Sequence, residues 1–178
     1  MEITYAGDSA FKLAGSKIVT INNPTAGKGE ISLFSRRQRS PRLLVNGPGE
    51  YEIGGVLIVT VPVGTGHAER WAHAIALDDS NIFFLEGEVE GLTETSLLAI
   101  GPVDVLIVQA EKLTETVKLA QDLAPRLVIP FGTHASAVCA ALGVKDAAPA
   151  SRLNLNGKCP RAALLKAPRA SARKRTAA

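Results

Sequence analysis

Several residue types are scarce in this chain, and each shortage excludes something. Two cysteines stand among 178 residues, Cys139 in an Ala-rich segment and Cys159 toward the C-terminus. Neither has metal-ligand spacing and the pair argues against a disulfide framework, so both read as buried or incidental thiols. Aromatic residues make up 4% of the chain, which leaves few platforms for stacking single-stranded nucleic acid. No apolar run approaches the ~18 residues of a membrane span. The chain opens directly on a polar–apolar alternation, without a signal-peptide pattern, so a cytoplasmic protein with no membrane association is expected. Histidine occurs only three times, at His67, His73 and His134.

What is abundant points to a packed fold. Hydrophobic residues reach 46% and the mean hydropathy is +0.14, values of a globular chain with room for one substantial core. The net charge of +3 conceals an asymmetry. Residues 145–178 hold nine Lys/Arg and one acid, Asp146, whereas residues 1–144 hold eleven basic against sixteen acidic side chains. A single domain over 1–166 followed by a basic, disordered tail over 167–178 is expected. Such a tail would suit phosphate contacts, or serve only as a solubilising end.

Strand-like runs recur at Ile18–Ile21, Leu43–Val45, Glu50–Ile53, Val56–Val61, His73–Leu77, Asn81–Phe84, Val103–Val108 and Leu127–Ile129. "ITYAGDSAFKL" reads as a hairpin with its tip at Gly7-Asp8-Ser9. Up to residue 85 the short connections predict antiparallel pairing. Beyond residue 90, "LTETSLLAIG" predicts a helix capped by Thr93 and stopped at Gly101. "LTETVKLAQDLAP" predicts a second, capped by Thr114, with Val117, Leu119, Ala120 and Leu123 inward. "HASAVCAALG" predicts a third, from His134 to Gly143, and "SRLNLNGKCPRAALLKA" a closing hairpin turning at Asn156-Gly157. The expected class is α+β, a layered sandwich of sheets and helices. Residues 24–42, with four arginines, form the least regular internal stretch.

Four segments, "MEITYAGDSAFKL", "LLVNGPGEYEIGGVLI", "GPVDVLIV" and "APRLVIPFG", occur in an order that resembles the metallo-β-lactamase superfamily. The resemblance is narrower to its small bacterial and archaeal Zn-dependent hydrolases of the ascorbate-lactonase-like type, and it runs from residue 1 to about 166. It implies an αββα sandwich, here truncated in its first half, with a metal-binding edge. There, imidazoles and carboxylates converge within about 2.0–2.2 Å of Zn²⁺ and acidify a bound water.

The expected ligands are missing position by position. The family's Gly-His-Ser-Cys-Phe stands here as Gly7-Asp8-Ser9-Ala10-Phe11, and Thr-Asp-Pro as Asn22-Asn23-Pro24. The His-x-His-x-Asp-His loop is absent, and Arg36 and Gln38 fall where its first histidines would. The bridging Asp falls at Gly87, flanked by Glu86 and Glu88, and the final His at Gly132, two residues before His134. Arg36, Arg37 and Arg39 would repel a divalent cation.

The resemblance therefore implies a non-catalytic relative with a binding or scaffold role, no cofactor, and a protein partner or a second copy as its partner. One alternative is a hydrolase with a rebuilt site of Asp8, Glu86, Glu88 and His134 holding Zn, Mn or Mg; Asp8 is then the first residue expected to touch metal. These residues equally fit a hairpin tip, a solvated acidic turn (with Glu90) and a helix start. A further alternative is nucleic-acid association through the arginine cluster and the basic tail. The "GPGEYE" turn is expected to be structural, with Glu50 accepting backbone N–H groups.

Overall fold

A computed structural model of the chain describes residues 1–24, 27, 29–37, 45, 47–64, 70–145, 148–155 and 160–167. Two sheets stack face to face. The first has the order β11-β1-β2-β3-β4, formed by Glu2–Gly7 (β1), Ala10–Ala14 (β2), Ile18–Ile21 (β3), Ile31–Leu33 (β4) and Arg152–Asn154 (β11). The second has the order β10-β9-β8-β7-β6-β5, formed by Gly49–Ile53 (β5), Val56–Val63 (β6), Arg70–Leu77 (β7), Ser80–Leu85 (β8), Val105–Gln109 (β9) and Leu127–Phe131 (β10). Helices Glu94–Ile100 (α1), Leu113–Leu123 (α2) and Ala135–Ala141 (α3) follow.

Side-chain alternation explains the layers. Ile3, Phe11, Leu13, Val19, Ile21 and Leu33 of the first sheet meet Ile58, Ile75, Leu77, Phe84, Ile107 and Ile129 of the second in one core. The opposite faces of the same strands give Val61, Ala72, Phe83, Leu106, Val108 and Val128, which pack on Ile100, Leu119, Ala120, Val138 and Cys139 of the helices. Strand β9 is apolar nearly throughout because it is covered on both faces, as expected of a strand between parallel neighbours. All three helices lie against the second sheet, while the outer face of the first presents Glu2, Thr4 and Lys12. Among the described residues no helix covers that face, which is where the truncation shows.

Most predicted elements stand where the sequence places them, within two residues at their ends. Thr93 caps α1 by accepting from the Ser96 N–H at 3.1 Å. Four expectations need correction. Lys112, not Thr114, is the N-cap of α2, and Thr116 joins the inward face by donating to the Lys112 carbonyl at 2.8 Å. The irregular stretch contains a strand, β4, which pairs in parallel with β3 and so departs from the antiparallel meander. Among the described residues the two arms of the closing hairpin make no antiparallel pairing: β11 pairs with β1, while Ala162 pairs in parallel with Val128 at the edge of the second sheet. Glu50 is exposed and, among the described residues, bonds no backbone N–H; Tyr51 closes the Gly-Pro-Gly turn by donating to the Gly47 carbonyl at 3.0 Å. Leu43 and Leu44 of the predicted second strand, the Asn156-Gly157 turn, Cys159, His67, Gln38, Arg39 and the tail from 168 lie outside the described residues. Cys139 is buried, and burial pushes its thiol pKa up.

Candidate functional site at the sheet edge

The β1–β2 hairpin turns through Asp8 and Ser9, both at positive φ (47° and 62°), as a two-residue loop of this type requires. The tip lies beside the end of β3. There Asn22, also at positive φ, donates its amide to Glu86 Oε2 at 2.6 Å and Ser35 Oγ at 2.9 Å, with Ser9 Oγ at 3.2 Å. Its carbonyl oxygen accepts from the Ser35 N–H at 2.8 Å. Strand β8 ends at Leu85, so Glu86 reaches back toward this amide from the second sheet. Asn22 therefore joins the two sheets through side-chain bonds alone.

Three consecutive residues after β4 each take a different partner. The Phe34 carbonyl lies 3.0 Å from Nε2 of His73, whose Nδ1 lies 3.0 Å from Thr60 Oγ1. A carbonyl only accepts, so Nε2 carries the proton and Nδ1 accepts from the Thr60 hydroxyl. Burial holds the His73 pKa down at about 4, against the smaller upward pull of the Phe34 bond. Ser35, fully buried, accepts from the Trp71 N–H at 2.8 Å in addition to its bonds with Asn22. Arg36 pairs with Arg70 in an isolated antiparallel bridge and places Nη2 3.8 Å from Glu86 Oε1. An open groove of about 320 Å³ is lined by Ser9, Asn22, Pro24, Phe34, Arg36 and Glu86. The sequence carries a signal for Asn22, since Asn favours positive φ at a strand end.

Beyond Glu86 the edge continues in a second network. The Gly87 N–H donates to Gln109 Oε1 at 2.9 Å, and the Gln109 amide donates to Glu111 Oε1 at 2.7 Å. Beneath both networks lies a stack of rings. Phe84 and Phe131 are parallel with centroids 5.9 Å apart, Phe11 meets Phe131 edge-on at 5.2 Å, and Tyr5 lies 4.8 Å from Phe11. These four rings fill the sandwich directly under the ligand positions.

The expected site residues each stand in a different setting. Glu86 is held in the Asn22 network; Glu88 is exposed and lines a small cleft with Gln109, Glu111 and Lys112. Asp8 is exposed at its hairpin tip, and His134 is exposed at the start of α3, its N–H donating to the Ala110 carbonyl at 3.0 Å. Among the described residues no three His, Cys, Asp or Glu side chains form a group able to hold a metal. The donors at the edge do not suit a divalent cation. Gly87 and Gly132 adopt φ of 115° and 91°, a backbone that Asp and His rarely take. A Cβ added at Gly87 would lie 3.1 Å from Nη1 of Arg70, so a guanidinium covers the position of the bridging carboxylate.

Comparison with solved structures follows from this geometry. A proposed Zn-dependent hydrolase of the metallo-β-lactamase superfamily from Thermotoga maritima superposes with a TM-score of 0.71 at 21% identity, over 92% of this chain and 96% of that one. The chain has the metallo-β-lactamase fold. A CmlA β-hydroxylase E377D mutant matches at TM-score 0.63 and 10% identity, over 93% of this chain and 52% of that one. No family model matches the chain, and no curated protein matches it in sequence. Among the described residues no helix is long and apolar enough to cross a membrane.

Proposed function

We propose that this chain is a non-catalytic relative of the metallo-β-lactamase superfamily that works by binding or as a scaffold. The observation that carries the reading is the chemistry at the ligand positions. Where the resemblance implies imidazoles and a bridging carboxylate, the edge offers an amide, two guanidinium groups and two glycines at positive φ. Guanidinium groups are donors only, with no lone pair for a metal, and the Asn22 amide oxygen already accepts from the Ser35 N–H. Glu86, the carboxylate nearest this centre, already accepts from Asn22 and faces Arg36. The scaffold supports the reading too, because the aromatic stack closes the layer beneath the edge.

The test is a titration of the purified full chain with Zn²⁺ and with Mn²⁺. The reading expects no stoichiometric uptake with a Kd below about a micromolar, a threshold that catalytic sites pass easily. Stoichiometric uptake tighter than that, lost on Asp8→Ala, would instead establish the rebuilt hydrolase site.

A further inference from the structure

Residues directly opposite one another in an antiparallel bridge point their side chains to the same face, and like charges placed so destabilise the pairing. Arg36 and Arg70 are such a pair. Both heads run toward the end of β8: Arg36 Nη2 lies 3.8 Å from Glu86, and Arg70 Nη1 lies beside Gly87. Among the described residues the Glu86 carboxylate faces Arg36 alone, and its Oε2 is committed to Asn22 at 2.6 Å. The remaining contact, at 3.8 Å, is longer than the ~2.7–2.9 Å of a charge-assisted hydrogen bond, so the Arg36 fork is not saturated. Among the described residues Arg70 has no carboxylate partner, and Asp8 makes no ion pair with either arginine. Folding stability alone gives no reason to set a second guanidinium opposite one that holds only a long contact with Glu86.

We infer that the Arg36–Arg70 edge binds a small organic anion, with an oxyanion head on the two guanidinium groups and an apolar body against Pro24 and Phe34. The inference rests on the non-catalytic reading of this edge and gives its ligand class. Planar guanidinium groups match the oxygens of a carboxylate or phosphate bidentately. Beside Arg36 the groove has a volume of about 320 Å³, with Pro24 and half-buried Phe34 as its apolar wall, and Arg70 stands opposite Arg36 in the bridge. That size suits a small molecule, not a macromolecular segment.

Calorimetric titration of the full chain with acetate, benzoate, inorganic phosphate and phenyl phosphate tests this. Benzoate and phenyl phosphate should bind about tenfold more tightly than acetate and phosphate, through burial of the ring on Phe34 and Pro24. Preference between benzoate and phenyl phosphate assigns the head group. Arg36→Gln and Arg70→Gln should each weaken binding about tenfold or more. Glu86→Gln should tighten it several-fold by removing the competing carboxylate, a gain that a folding defect would not produce. The inference is overturned if none of the four anions saturates at tens of millimolar, or if binding is indifferent to both arginine variants. It is also overturned if a single-stranded oligonucleotide binds in an Arg36- and Arg70-dependent way while the four small anions do not. Failure of these titrations leaves the metal titration untouched, and metal uptake would overturn the non-catalytic reading without reference to anions.

Discussion

Phe34 and Arg36 are two residues apart, yet the polar contacts they make are of opposite kinds. At Phe34 the carbonyl meets a histidine that is wholly buried, neutral and bonded at both nitrogens, each at 3.0 Å. At Arg36 a half-exposed guanidinium faces Glu86 across 3.8 Å, with fork donors to spare. A buried polar group must be fully paired, because leaving one partner unsatisfied costs its desolvation. An exposed pair tolerates slack, since water completes it. The segment therefore passes from a strut to an open contact within three residues, and only the open end has donors left for a ligand.

The ring stack beneath both ends should be the least tolerant of change. Phe84 is fully buried, stacked on Phe131 and edge-on to Phe11 at 5.8 Å. Phe84→Ala should destabilise the fold by about 3–5 kcal/mol, measured by urea unfolding. A loss below about 1 kcal/mol would mean that the layer under the edge is loosely packed, which would weaken the contrast drawn here.

His73 comes next. Its folded pKa of about 4 lies below the ordinary value of 6.5 for the unfolded chain, so the unfolded state binds more protons between those values. Stability contributed by the neutral ring is thus complete above about pH 6.5 and falls as pH drops toward 4. The loss amounts to about 3 kcal/mol over that window, at ~1.4 kcal/mol per unit. His73→Gln should be less stable at pH 7 and should flatten this part of the profile. A wild-type curve that stays level from pH 7 to 4.5 would contradict the buried neutral imidazole.

Asn22→Ala tests the link between the two ends. It removes the amide that joins Glu86 to Ser35 and leaves the buried Ser35 N–H without its acceptor. A cost of about 1–3 kcal/mol in thermal or urea unfolding is expected. A neutral result would show that the sheets are joined there by packing alone.

These residues differ in how readily the sequence reveals them. The strands of the second sheet and the three helices are legible because apolar periodicity and cap residues are local signals. Interest in Asp8, Gly87 and Gly132 comes only through the resemblance, which implies ligands at those positions. Strand β4 is hidden because three residues beside Gly and Arg carry no alternation long enough to count, and its pairing with β3 is set across the loop. His73 could be read as packed, but not as the strut for Phe34, since that contact spans 39 residues and depends on sheet stacking. Arg70 had no local signal at all; only the bridge to Arg36 gives it meaning.

The smallest effect on stability should come from Arg36 itself. The side chain is 58% exposed and its contact with Glu86 exceeds hydrogen-bond length. Exposed pairs of this kind contribute about 0–1 kcal/mol, and here the like charge of Arg70 across the bridge opposes even that. Arg36→Gln should therefore leave the urea midpoint within about 0.5 kcal/mol of wild type, or raise it slightly. A loss above about 2 kcal/mol would make Arg36 part of the strut, since exposed contacts do not supply that much. A residue that contributes so little to folding, yet stands opposite a second guanidinium, is where the proposed anion would be tested first.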